Sequence, residues 1–406
     1  MPTLAPKSSE SALMPAATVA PERDISRAGM PEPTRLSVGN SAVLDAARGL
    51  AAIGVLLHHW RNIFFADFAE ITPGTVTPAT KALYFVSGLG HQYVMVFFVL
   101  SGFFISSSVF RNFARRGWSW RTYALDRGTR LYVVLVPGLL LGFLWDQLGL
   151  RSNAGSYYWP PLAQSAVHSD FGWATFFGNL AFLQIRLTPV WGSNGPLWSL
   201  FNEFWYYVLF PALVGIAVYA RRRQVTRTFC AVAIAAFALW ILQAQAVGFL
   251  VWLTGCAVAI SKTNRVGEKL GKPACIAITA LSGGAFCSVL AAARLQQRVL
   301  GSDPVVGLCF AVFLFCLLAL DLNPPPRAVA VAGASAGFSY SLYLLHFPFL
   351  VCLRSLLLTN GRWQPDAVHI SYGLCIAAAT LVYAYVAAQF TERKTSSVRA
   401  WIARLP

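Results

Sequence analysis

The chain has 406 residues, of which 56% are hydrophobic and only 12% are charged. A soluble domain carries charge on about 25% of its residues, so this composition excludes an ordinary soluble globular protein. The net charge is +16, but the basic residues lie in short loops between apolar runs, as the positive-inside rule expects, and no contiguous basic face suits a nucleic acid. We therefore expect an integral membrane protein that does not bind nucleic acid.

The first 40 residues are rich in Ala, Pro and Ser, and they lack the continuous apolar segment of a cleavable signal peptide. We predict three parts: a disordered cytoplasmic tail over 1–40, a transmembrane domain over 41–392 and a basic cytoplasmic tail over 393–406.

The transmembrane domain contains about ten apolar runs that are candidates to cross a membrane. They lie near 44–65, 82–108, 130–150, 197–220, 228–246, 247–261, 274–293, 303–320, 335–357 and 368–390. We therefore predict an all-α fold, a polytopic transmembrane helix bundle of about ten spans. The basic loops all fall on one side if both termini are cytoplasmic, which we expect at a bacterial inner membrane.

The apolar patch at 171–187 is ambiguous. A full crossing there would move the arginines at 221–223 to the outer side, so we predict that the patch is re-entrant or interfacial. The aromatic stretch at 157–161 before it fits either an interfacial aromatic belt or a stacking platform for sugar rings.

Two ionisable residues, Arg48 and His59, interrupt the first apolar run. Such residues cost roughly 2.5–3.5 kcal/mol inside a membrane and usually have a partner or a task. Eleven residues of helix make about three turns, which places both side chains on one face about 16 Å apart. The pair therefore indicates a functional site.

Three further polar islands lie in apolar surroundings, at 97–103, 196–207 and 340–348. Gly102 in the first allows close helix approach. In the second, Glu203 shares a helical stripe with Ser199 and with Tyr206 or Tyr207. The third places His346 near the middle of a span. Helix packing alone remains an alternative for each island. The eight cysteines are scattered singly and predict neither a disulfide framework nor a metal site.

Taken in order, these four islands resemble the acyltransferase 3 family of integral membrane O-acyltransferases. The resemblance extends from about residue 40 to 392. The family's arginine and histidine, with ten positions between them, match Arg48 and His59, and its acidic position matches Glu203. Two departures are Ala46-Ala47 where members often have Gly-Leu, and Phe201 where they often have serine.

The resemblance implies an O-acyltransferase that moves an acyl group, above all acetyl, from acyl-CoA to a hydroxyl of a carbohydrate in a surface polysaccharide or glycolipid. Acyl-CoA would be a co-substrate, with no permanently bound cofactor or metal. We expect His59 to act as the base and Arg48, near the cytoplasmic end, to meet the donor's phosphates. Glu203 would orient His59 or bind acceptor hydroxyls. Further substrate-binding candidates are Asp45, His58, Ser199, Tyr206, Tyr207, Tyr343 and His346.

Two other functions fit parts of the pattern. Intramembrane His and Glu would suit a proton-coupled transporter or exporter of a sugar or acyl metabolite, although no paired broken helices are evident. A structural subunit of a polysaccharide synthesis complex is the third interpretation. Nothing in the sequence indicates the oligomeric state.

Overall fold

The computed structural model describes residues 31, 33, 36–115, 118–157, 170–261, 263–359 and 361–404. Most of the predicted 1–40 tail and most of the aromatic stretch at 157–161 lie outside these ranges. Within them the regular structure is helical, and β-pairing is limited to isolated bridges such as that between Phe65 and Trp363. The predicted all-α bundle is confirmed.

The described residues form fifteen α-helices. They are α1 (Val38–Phe64), α2 (Pro78–Ser87), α3 (Gly90–Arg115), α4 (Trp120–Tyr157), α5 (Trp173–Leu180), α6 (Leu197–Arg221), α7 (Val225–Leu242), α8 (Val247–Ile260), α9 (Thr263–Leu270), α10 (Lys272–Arg294), α11 (Asp303–Ala319), α12 (Pro326–Ala336), α13 (Ser339–Leu357), α14 (Ala367–Phe390) and α15 (Thr395–Ile402).

Eight stretches of the described chain are long and apolar enough to cross a membrane, against about ten predicted. The difference has two causes. The predicted runs at 228–246 and 247–261 become α7 and α8, which join in one stretch, Val225–Ile260, broken by a short 3₁₀ turn at Gln243, where φ is 46°. In addition, α11 is apolar but has only 17 residues.

Helix α5 explains the ambiguous patch at 171–187. It has eight residues, or about 12 Å of helix, and the hydrocarbon core is about 30 Å thick. The segment therefore does not cross as a helix, in agreement with a re-entrant or interfacial position. The loop that follows is held by the buried Asp146 of α4, whose carboxylate accepts hydrogen bonds from the Ser193 amide (2.9 Å) and hydroxyl (2.6 Å).

The first helix occupies a central place in the bundle. Ser37 caps α1 by accepting a hydrogen bond from the Asn40 amide, so the helix starts inside the predicted tail. Helix α1 packs against α3, α12 and α13, and α13 packs in turn against α4. The helices α1, α3, α4, α6 and α13 thereby enclose the polar residues of the four islands.

The last described helix, α15, lies within the segment predicted as a basic tail, 393–406. Helix α15 packs on α4, and Arg399 donates a hydrogen bond to Asp126 at 3.0 Å.

Candidate functional site

A cavity of about 70 Å³ lies between α1, α3, α4, α6 and α13. Its polar lining consists of Arg48, Arg130, Ser199, Glu203, Tyr207, Ser339, Tyr340 and Tyr343. An adjoining cavity shares Arg48, Arg130, Glu203 and Tyr207 with the first and adds Arg127 and Ser101. We call the two together the arginine–glutamate cavity. All four polar islands of the chain contribute residues to its lining.

Glu203 accepts two hydrogen bonds within this cavity. Its carboxylate accepts hydrogen bonds from the Tyr207 hydroxyl, one helical turn away, and from the Ser101 hydroxyl at 3.1 Å. Ser101 in turn accepts a hydrogen bond from the indole of Trp252 at 3.2 Å. The polar island at 97–103 therefore supplies a site residue, Ser101, as well as Gly102, which lets the helices approach.

Arg48, on α1, lines the arginine–glutamate cavity. Its guanidinium donates to the Ala336 carbonyl at 3.2 Å and lies 3.7 Å from the Asp45 carboxylate. Since α1 begins at Val38, Arg48 lies about 15 Å along a helix of about 40 Å. Arg48 therefore lies in the first half of α1, on the side of the helix start.

A second arginine was missed by sequence reasoning. Arg130 of α4 lines both parts of the arginine–glutamate cavity, and Arg127, three residues earlier, lines one of them and donates to the Ser108 hydroxyl at 2.8 Å. Residues three apart share a helix face. The spacing of Arg127 and Arg130 could have indicated a shared helix face. The arginines around them, however, are typical of a basic loop, and the pair was interpreted as part of one.

His59 lies outside the arginine–glutamate cavity. Its ring contacts those of His346 at 5.2 Å between centroids, Phe347 at 4.8 Å and His58 at 5.1 Å. The carboxylate of Glu203 bonds to Ser101 and Tyr207, so the expectation that Glu203 orients His59 is not met in this structure. The predicted catalytic residues thus form two groups, one around Arg48 and Glu203, the other around His59 and His346.

Tyr343 lies between the two groups. It lines the arginine–glutamate cavity, and its hydroxyl lies 2.6 Å from that of Ser199 and donates to the Pro196 carbonyl at 3.2 Å. On its other side, its ring centroid is 6.1 Å from that of His346. One residue therefore connects the cavity to the histidine pair.

Two predicted substrate-binding residues are fully engaged elsewhere. The Nδ1 atom of His58 lies 2.8 Å from the Ser87 carbonyl, which only accepts, so Nδ1 carries the proton. Its Nε2 atom then accepts from the Asn62 amide at 3.0 Å. The hydroxyl of Tyr206 donates to the Gln245 carbonyl at 2.7 Å, away from the cavity. His58 thus joins α1 to α2, and Tyr206 joins α6 to the turn before α8.

The site residues include no ready metal centre. Among the described residues, no three or more His, Cys, Asp or Glu side chains form a group able to hold a metal ion. The polar groups of the site are three arginines, one carboxylate, several hydroxyls and an imidazole pair, a set suited to binding an anion and to proton transfer.

Comparison with known proteins supports the sequence resemblance. A family model described as an acyltransferase domain, that of the acyltransferase 3 family, matches residues 42–389. Neither the curated proteins nor the solved structures gave a match. The matched region contains every residue that lines the arginine–glutamate cavity. The chain therefore belongs to the acyltransferase 3 family and is a membrane acyltransferase.

Proposed function

We propose that this protein transfers an acetyl group from acetyl-CoA to a hydroxyl of a carbohydrate, in a surface polysaccharide or glycolipid, at the bacterial inner membrane with both termini cytoplasmic. The observation that carries the proposal is the arginine–glutamate cavity, which places Arg48 and Arg130 beside Glu203 inside a membrane helix bundle. Cations are expensive there and persist where an anion is handled.

The arginines suit the anionic donor. Coenzyme A carries phosphates, and a guanidinium forms paired hydrogen bonds to phosphate oxygens. Arg130 of α4 and Arg48 of α1 each lie ten residues after the start of their helix, and Arg127 lies one turn before Arg130, nearer the start of α4. This series supports an approach of the donor from the end of the bundle where α1 and α4 begin.

The size of the cavity supports a short acyl group. A water molecule needs roughly 10–15 Å³ of such space, so a volume of about 70 Å³ holds only a few waters. An acetyl group fits this space, whereas a long acyl chain would need a further channel.

The histidine pair supports the chemistry of transfer. The acceptor hydroxyl oxygen attacks the thioester carbonyl carbon, the carbon–sulfur bond breaks, and His59 takes the hydroxyl proton and returns it to the departing thiolate. Because His59 lies beyond Tyr343 from the arginine–glutamate cavity, the acceptor would enter from the end of the bundle where α1 ends. An acyl-histidine intermediate is the alternative route to the same products.

The test uses purified full-length protein, radiolabelled acetyl-CoA and a panel of glycan acceptors. We expect labelled product and free CoA thiol only when an acceptor is present. His59→Ala should lower kcat by about 10²–10⁴-fold, and activity within a few-fold of wild type would refute its role as base. Mass spectrometry of surface glycans from a deletion strain should show the loss of one acetyl mass.

A transporter is the second candidate function, because the half-buried Glu203 and His59 in one bundle also suit a proton relay. Proteoliposomes distinguish the two. Uptake of a sugar or acyl metabolite without any release of CoA would favour transport and overturn the proposed transfer.

A further inference from the structure

His346 has an unusual hydrogen-bonding state. It is fully buried in α13, and its Nδ1 atom lies 2.9 Å from the carbonyl of Leu342, one turn earlier in the helix. A carbonyl only accepts, so Nδ1 carries the proton and Nε2 carries a lone pair. In the described structure this Nε2 atom is buried and has no hydrogen-bond partner. Leaving such an acceptor unpaired costs about 1–3 kcal/mol.

Of the rings in contact with His346, that of His59 has the shortest centroid distance, ahead of Tyr343 and Phe347. The two centroids are 5.2 Å apart with an interplanar angle of 37°. Other sides of the His59 ring meet Phe347, which is apolar, and His58, whose two nitrogens are already bonded to Ser87 and Asn62. Among the rings that contact His59 in the described structure, His346 is therefore the one with an unpaired acceptor, its Nε2 atom.

We infer that His346 is a positioning residue for His59. The two rings are in contact but are not hydrogen-bonded in the described structure, and a turn of the His59 ring brings one of its nitrogens to this acceptor. The Nε2 atom of His346 then accepts a hydrogen bond from that nitrogen, which fixes the tautomer of His59 and leaves the lone pair on the other nitrogen to face the acceptor hydroxyl. The hydrogen bond at one imidazole nitrogen decides which nitrogen is free to act. This inference rests on the proposed function, because it assumes that His59 is the base.

The arrangement uses the histidine as a neutral counterpart of the carboxylate that orients a catalytic imidazole in other enzymes. A neutral partner suits this place, because a carboxylate buried among Phe347, Leu342 and Tyr343 would pay a large desolvation penalty. The hydrogen bond from Nδ1 of His346 to the Leu342 carbonyl fixes the orientation of the His346 ring.

The kinetic test compares three variants of the full-length protein in the acetyl-transfer assay. His346→Phe keeps the ring volume and removes the acceptor, and we expect kcat to fall about 10–100-fold with KM for acetyl-CoA unchanged. His346→Gln places an amide oxygen near the lost Nε2 and should recover most of kcat. His369→Phe is the matched control and should retain wild-type kcat, because His369 lies in the first turn of α14 and bonds to Asp366.

Three kinetic results would overturn the inference. They are an unchanged kcat in His346→Phe, a change in KM alone, or a His346→Gln variant that is no better than His346→Phe. A merely structural role would lower the amount of folded protein in all His346 variants without this rescue.

A second measurement does not depend on activity. The chain has six histidines, so ¹⁵N-histidine labelling gives a small set of ring signals. We expect a scalar coupling across an N–H···N hydrogen bond between two rings, lost in both His346→Gln and His59→Gln. Absence of the coupling overturns the inference even if the protein is an active acyltransferase. A coupling in a protein that shows no acyl transfer would refute the proposed function and keep the hydrogen bond.

Discussion

At the scale of single residues, the site is built from polar groups that are expensive in a membrane and that satisfy one another. Glu203 receives two hydroxyl hydrogen bonds, from Ser101 and Tyr207, before any substrate arrives. Arg48 retains capacity, because its Nε atom is buried and has no hydrogen-bond partner in the described structure. We therefore expect substitution of Glu203 to change kcat and substitution of Arg48 to change the KM for acetyl-CoA.

Replacing Glu203 by Gln should test whether its charge matters. The amide keeps the shape and the bond from Ser101, so we expect the protein to fold while kcat for acetyl transfer falls by about 10²-fold or more. Thermal unfolding of the purified variant is the control for folding. A kcat within a few-fold of wild type would show that Glu203 serves only to join α3 and α6.

Replacing Arg48 by Lys should separate binding from catalysis. Lysine keeps the charge but loses the planar fork that binds phosphate. We expect KM for acetyl-CoA to rise about tenfold with little change in kcat. The matched control is Arg327→Lys, on an exposed part of α12. An unchanged KM together with a collapsed kcat would contradict a donor-binding role.

At the scale of elements, the close approach of α3 and α8 sets one wall of the site. A Cβ atom on Gly102 would lie 1.9 Å from the Trp252 carbonyl oxygen, and one on Gly255 would lie 1.8 Å from that of Val99. The two glycines let the backbones touch, and this contact brings the indole of Trp252 to Ser101. Small residues at the crossing thus position a polar side chain.

Gly255→Ala should therefore destabilise the bundle. The added methyl group meets backbone, so we expect a loss of about 1–3 kcal/mol in the free energy of unfolding, measured in detergent by thermal or denaturant unfolding. Gly284→Ala is the control, because a Cβ atom there meets nothing within 4 Å. Equal stability of the two variants would show that α3 and α8 are not held as close as described.

At the scale of the whole molecule, one end of the bundle is tied together by charges in the loops. Arg362, between α13 and α14, donates to both carboxylate oxygens of Asp67 (2.9 and 2.7 Å) and to Glu70 at 3.0 Å. These hydrogen bonds hold the pKa of Asp67 below its usual value. The loops that follow α1 and α13 are thereby joined beyond the histidine pair.

This cluster predicts a pH dependence of stability. Because the folded state lowers the pKa of Asp67, its contribution is complete above the ordinary value near 3.8 and is lost as pH falls through the lowered folded value. Asp67 is 56% exposed, so solvent screening limits the gain to about 1 kcal/mol or less. Arg362→Gln should lower Tm at pH 7, and the difference from wild type should shrink below about pH 4.

Arg327→Gln provides the comparison for this series, since Arg327 is exposed on α12. A difference between wild type and Arg362→Gln that stays constant down to the lowest measurable pH would contradict the assignment to Asp67.

Much of the architecture follows from local pattern. Apolar runs of about twenty residues have to be helices in a membrane, because every backbone polar group must be bonded within the segment, and the runs at 44–65 and 197–220 correspond to α1 and α6. The break at Gln243 has a local signal in Gln243 and Gln245, and the predicted runs at 228–246 and 247–261 divided the segment within a few residues of it. The family resemblance was also readable from four short islands, and the match over 42–389 confirms it.

The sequence by itself determined that this is an all-α membrane protein of the acyltransferase 3 family and that Arg48, His59 and Glu203 are unusual in their surroundings, because composition and helical period act within single segments. Only the tertiary structure decided which of these residues meet. Glu203 lines one cavity with Arg48 and Arg130, whereas the ring of His59 contacts that of His346. His58 and Tyr206 form hydrogen bonds to backbone carbonyls outside the cavity. Contacts between helices depend on crossing positions and close approaches such as that at Gly102, which no spacing along one helix encodes.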